Sequence, residues 1–138
     1  EQMVEAQVEG VTIRGRMDRL EHVDEGVRVT DLKTGKSGHS AKTVPDNPQL
    51  AAYQMALLAS GKQVAGARIA LLGGDKPKTF DQKPLEGKTL EEWRGKVREV
   101  AAIARGPYFE ATPSEKACLY CSFDRLCPAR ERGRKVVE

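Results

Sequence analysis

"GRMDRLEHVDEGVRVTDLKTGK", residues 15–36, decides the fold. The flanking runs "VTIRGRMDRL" and "GVRVTDLKTG" alternate β-branched with polar residues, the period-2 pattern of half-buried strands. Asp24, Glu25 and Gly26 mark the turn between them. A hairpin centred between Asp24 and Glu25 sets Asp18 opposite Asp31. Opposed residues of an antiparallel pair have Cβ atoms about 4.5–5.5 Å apart, where like charges destabilise, so a positive charge belongs between them. Lys33 follows Asp31 by two and projects from the same face. A hard divalent cation held by oxygen ligands is the other candidate. The plain structural alternative is a hairpin carrying solvated charges on its outer face. Thr34 and Gly35 end the strand directly after the lysine, which leaves the cluster at a strand end, open to a ligand.

These residue types suit phosphodiester hydrolysis. The reaction needs a water made nucleophilic near neutral pH and a shield for charge developing on the phosphate, both of which bound metal ions provide. Carboxylates supply the metal site, and a lysine stabilises charge or, with its pKa lowered by burial, accepts a proton. "GRMDR", then "VTDLKTG", then "QLAAYQMAL" together resemble the PD-(D/E)xK nuclease superfamily, in its RecB-like branch of helicase-associated exonucleases, over about Glu5 to Pro128. The resemblance implies a restriction-endonuclease-like α/β core with a mixed β-sheet flanked by helices. It implies Asp18, Asp31 and the Leu32 carbonyl as ligands of Mg²⁺ or Mn²⁺, and Lys33 as the catalytic lysine beside Asp18 and Asp31. Gln49 and Tyr53 match the family's Q-x-x-x-Y signature, which lies near the DNA backbone.

Composition fits one globular domain over residues 1–138, with 39% hydrophobic and 31% charged residues. No apolar run approaches a membrane span and the start lacks a signal-peptide pattern, so a cytoplasmic protein is expected. The net charge of +3 is too small to prove a nucleic-acid partner. The opening "EQMVEAQVEG" has no initiator methionine and suggests a piece cut from something longer.

After the hairpin, Asn47 and Pro48 read as the cap and first residue of a helix over about Pro48 to Ser60, with Gly61 as its stop. Leu50, Tyr53, Leu57 and Leu58 form one apolar stripe, so Tyr53 also reads as core, and Gln49 lies one turn before it on the same face. "VAGARIALLG" reads as a buried strand. A loop with Lys76, Lys78 and Lys83 follows, its charges read as solvated surface. The box Thr89-x-x-Glu92 then caps a helix ending near Gly106.

The segment 112–138 holds all the cysteines, Cys118, Cys121 and Cys127, in the spacing C-x2-C-x5-C. Clustering of this kind in a cytosolic protein points to metal before disulfide, although three thiolates are one short of the usual four. Similarity to the AddB-like, iron–sulfur subset implies a [4Fe-4S] cluster in the intact protein, its fourth cysteine upstream of this chain; zinc or free thiols are the alternatives. His22 and His39 read as surface residues, and Glu5 as a further acidic group able to approach the metals from a neighbouring strand. The expected function is a metal-dependent DNA exonuclease domain, attached to or partnered with a helicase, in recombination or double-strand-break repair. The rival is a non-catalytic DNA-binding or iron–sulfur scaffold module with the same fold.

Overall fold

The computed structural model describes residues 1–36 and 38–129. By compactness the chain divides into two units, Glu1–Ala101 and Ala102–Glu138. The first opens on an antiparallel pair, β1 (Gln2–Val8) and β2 (Val11–Met17), joined at the turn Glu9–Gly10. Both turn residues have positive φ, 51° and 72°, a conformation whose twist matches that of the strands it joins. Glu9 is held there by Arg94 and Arg98 at 3.6 and 2.8 Å.

The strand expected to run on through Asp18 is broken at that residue. β2 ends at Met17, fully buried, and β3 (Arg19–Val23) begins a second sheet with β4 (Gly26–Lys33). Alternation continues through the break, which is why periodicity alone misses it. The β3–β4 register follows the turn as read: Arg19 pairs with Thr30 and Val23 with Gly26. Gly26 has φ 130°, and a Cβ there would strike the Gln63 carbonyl, so the turn residue is fixed twice over.

β4 pairs in parallel with β5 (Val64–Leu71), and β5 pairs antiparallel with β6 (Lys78–Gln82), giving the sheet order β3-β4-β5-β6. The connection from β4 to β5 is α1 (Pro48–Ala59). With α2 (Gly87–Arg105) it supplies the helices of the expected mixed, helix-flanked sheet. Asn47 caps α1 through Oδ1, accepting from Leu50 N at 3.0 Å; Pro48 takes the first position, where no N–H is needed, and Gly61 has φ 75°. The helix is buried on more than the expected stripe. Leu50, Ala51, Tyr53, Gln54, Met55, Ala56 and Leu57 are all covered. One cluster joins Leu50, Tyr53, Ala56 and Leu57 to Val4, Met17, Val29, Ile69 and Leu71; another joins Ala51 and Met55 to Val8, Leu85 and Trp93. A helix walled on several sides has no need of a polar face.

Two expectations are corrected. The loop assigned to Lys78 is β6, whose run "KTFDQ" is too polar to announce a strand; Arg68 secures it by a forked pair of bonds to Asp81, 2.6 and 3.2 Å long. The Thr89–Glu92 box is not the helix start, since α2 begins at Gly87. In the second unit Ser114 caps the short helix α3 (Glu115–Cys118), its hydroxyl accepting from Ala117 N at 3.1 Å. Among the described residues no helix is long and apolar enough to cross a membrane.

Two buried glutamines lock α1 against the end of β6. Gln54 Nε2 donates to Gln82 Oε1 at 2.9 Å and to the Lys83 carbonyl at 3.1 Å, while its Oε1 accepts from Leu85 N at 3.1 Å. Gln82 Nε2 donates to the carbonyls of Val44, Pro45 and Asn47 at 3.3, 2.9 and 3.1 Å. These three carbonyls precede α1, so the amide fixes where the helix begins. Val44 O and Asn47 O also accept from Asn47 N and Ala51 N, so Gln82→Leu leaves chiefly the Pro45 carbonyl without a donor beside a side chain that is 3% exposed, and unsatisfied buried groups are costly. We expect a loss of about 2–4 kcal/mol in urea unfolding. A loss below about 0.5 kcal/mol would show that the carbonyls find other donors.

Candidate active site

The break at Asp18 has a local purpose. With β3 starting at Arg19, the next rung of the β4 ladder has no backbone partner from β3, and the Asp18 side chain takes its place: Oδ2 accepts from Leu32 N at 2.8 Å. Lys33 O accepts from Leu72 N at 2.8 Å on the β5 side, so the alternate residue Leu32 turns its own N–H and C=O the other way, toward Asp18. Asp18, Leu32 and the end of β4 thus meet at one point.

Asp31, 3% exposed, and Lys33 share the face of β4 covered by α1. Asp31 Oδ1 accepts from Gln49 Nε2 at 3.1 Å. Asp31 Oδ2 lies 2.8 Å from Lys33 Nζ, an ion pair whose angles do not make a hydrogen bond, so this buried oxygen has charge compensation but no directed donor. Gln49 Oε1 accepts from Lys33 Nζ at 3.4 Å, a long contact. Gln49 Nε2 also donates to Tyr53 Oη at 3.1 Å, and Tyr53 Oη donates to the Arg16 carbonyl at 2.7 Å. One amide therefore spans the carboxylate, the lysine and the tyrosine.

Tyr53 is 8% exposed, as the core reading of its helical stripe had it, and it works from behind Gln49. Its ring lies on Gly15, where a Cβ would stand 2.6 Å from Cε1. Gly15 and the Arg16 carbonyl are members of the site that sequence reasoning missed; the available signal was a glycine inside a strand, which marks a close approach.

The Asp18, Asp31, Leu32, Lys33, Gln49 and Tyr53 positions converge, and a match to the family model of the PD-(D/E)XK nuclease superfamily spans residues 1–128. The chain belongs to the PD-(D/E)XK nuclease superfamily. Among solved structures it is similar to the crystal structure of SSO0001, at 21% identity and a TM-score of 0.50, over 92% of this chain. The chain spans 57% of the length of that structure, and the likeness speaks for the fold alone. Comparison with curated proteins gave no match. Members of this nuclease superfamily hydrolyse nucleic-acid phosphodiesters and commonly use Mg²⁺ or Mn²⁺.

Other expected ligands do not gather. Glu5 lies on the solvent side of β1 between the covered Val4 and Ala6, and its Oε2 accepts from Arg14 at 2.7 Å; strand alternation carries it away from the aspartates. His22 is exposed and His39 half-buried. Cys118, Cys121 and Cys127 do not form a metal-ready set. Among the described residues no group of three or more His, Cys, Asp or Glu side chains is placed to hold an ion, so the iron–sulfur expectation finds no preformed site.

The support behind Gln49 is open to test. Tyr53→Phe removes the donor to the Arg16 carbonyl and the acceptor for Gln49, and should cost about 1–2 kcal/mol in urea unfolding. Gly15→Ala should cost about 1–3 kcal/mol by overpacking, with the ring displaced in its crystal structure. An undisplaced ring would mean that the strand, not the tyrosine, yields.

Proposed function

We propose that the chain is the nuclease domain of a RecB-like, helicase-associated DNA exonuclease, dependent on Mg²⁺ or Mn²⁺ and acting in recombination and double-strand-break repair in the cytoplasm. The observation that carries this reading is the connected cluster at the end of β4. Asp18 is bonded to Leu32 N, and Asp31 is tied through Gln49 to Lys33.

The donors fit a hard cation. Asp18 and Asp31 supply carboxylate oxygens, the Asp31 Oδ2 lacks a hydrogen-bond donor, and the Leu32 carbonyl is turned to the Asp18 side. When bound, such an ion makes a water nucleophilic near neutral pH and neutralises charge growing on the phosphate. The remaining work falls to the chain itself. The Lys33 side chain is 34% exposed, which leaves Nζ reachable by a phosphate while Asp31 stays buried beneath it. Its ammonium, paired with Asp31, stabilises the negative charge growing on the phosphate. Gln49, exposed on the first turn of α1, orients both groups and is placed to meet the DNA backbone, with Tyr53 fixing its amide from inside.

The [4Fe-4S] expectation rests on the cysteine spacing and the resemblance to the AddB-like subset, and no part of this mechanism depends on it. A non-catalytic DNA-binding module of the same fold is the rival, separated by one assay. With Mg²⁺ or Mn²⁺, linear DNA should be degraded from its ends and closed circular DNA spared. Asp31→Ala and Lys33→Ala should each cut the rate at least about 100-fold with the fold kept by circular dichroism. Cleavage retained by either variant would move the chemistry elsewhere, and binding without cleavage by the unaltered chain would support the rival. Mn²⁺ soaked into crystals should give anomalous density between Asp18 and Asp31.

A further inference from the structure

Beside the cluster at the end of β4 lies a concavity of about 430 Å³ lined by Lys36, Leu71, Gly74, Asp75, Lys76 and Lys78. We propose that it is a second phosphate subsite, which holds the nucleic-acid backbone next to the bond that is cut. The proposal rests on the nuclease reading and adds to it a site that neither the family motifs nor that mechanism uses.

Its position follows from register. The last rung of the sheet pairs Lys33 with Leu71 and Leu71 with Lys78, and side-by-side partners in a sheet share a face. Leu71 is therefore both the immediate neighbour of Lys33 and part of the wall of the concavity. Two strand spacings of about 4.8 Å put the Lys78 backbone about 10 Å across the sheet from that of Lys33.

The two loops beyond the rung are interlocked. Gly73 lies so close to Thr34 and Gly35 that a Cβ on it would collide with the Thr34 carbonyl. That contact brings Lys36, from the loop after β4, to the same concavity as Lys76, from the β5–β6 connection, and Lys78, the first residue of β6.

The charge and the walls choose the ligand. Three ammonium groups face one carboxylate, Asp75, and none of the four is ion-paired with a described residue. All three lysines are exposed. Lysine is a compact, rotatable point charge, suited to phosphate oxygens without regard to sequence. The wall has no aromatic side chain on which a base could stack, so the ligand is the backbone and not the bases.

The test measures binding of a fluorescently labelled oligothymidylate by anisotropy, without divalent metal, at a series of salt concentrations between about 50 and 200 mM. Each lysine–phosphate contact to a single strand contributes about 0.7 to the slope of log affinity against log salt. Lys36→Ala/Lys76→Ala/Lys78→Ala should lower that slope by about 2, and Lys78→Gln alone by about 0.7. In cleavage the triple variant should raise KM with kcat retained. The distant Lys88→Ala should leave slope and KM unchanged. A triple variant that melts like the unaltered chain and keeps its slope overturns the subsite while the nuclease reading stands. An unaltered chain that neither binds nor cleaves DNA overturns both.

Discussion

The hydrogen bond from Leu32 N to the Asp18 carboxylate sits where one sheet hands the chain to another. A strand that continued would have covered the edge of β4 with backbone and left no side chain there. By breaking at Asp18 the chain substitutes a carboxylate for a peptide group at the same rung. The Leu32 N–H, which has no strand partner there, is satisfied all the same. An acidic side chain is fixed at the strand end at the same time. The seam between β2 and β3 is thus both a topological necessity and the place where the Asp18 carboxylate is fixed.

Everything behind that seam is held by α1, and the holding is done by amides. Gln49 faces the site, Gln54 faces the end of β6, and Gln82 reaches back to the carbonyls that precede the helix. Each places several bonds on one side chain, and Gln54 and Gln82 do so in a region with little access to water. Such networks are costly when broken and specific when complete. The consequence is a helix whose rotation and starting point are both set, so that Gln49 arrives within reach of Asp31 and Lys33 together. Apolar packing alone, with side chains covered on several faces of α1, would not choose among rotations.

The hairpin register, the capped helix and the buried parallel strand were legible because each rests on local rules: period-2 alternation, turn residues, and Asn47–Pro48 before an apolar run. The candidate site was legible for the same reason, since its members lie on those elements. What escaped notice had a non-local cause. β6 is polar in sequence and becomes a strand through pairing with β5 and the Arg68–Asp81 fork. The break at Asp18 leaves the alternation intact. The placement of Gly15 under Tyr53 joins residues far apart in the chain, and strand alternation, invisible in a residue count, turned Glu5 to solvent. The three cysteines show the limit of spacing: a pattern suited to a ligand set does not by itself assemble one.

The Lys33–Asp31 pair bears on the order of assembly. A carboxylate that is 3% exposed is stabilised by a counter-charge beside it. Here that charge comes from the same strand, two residues away, at 2.8 Å. The chain therefore carries its own internal counter-ion, and closing the core does not wait on a metal ion from solution. The neutralisation of Asp31 is thus a property of the strand itself, set by two residues that share one face.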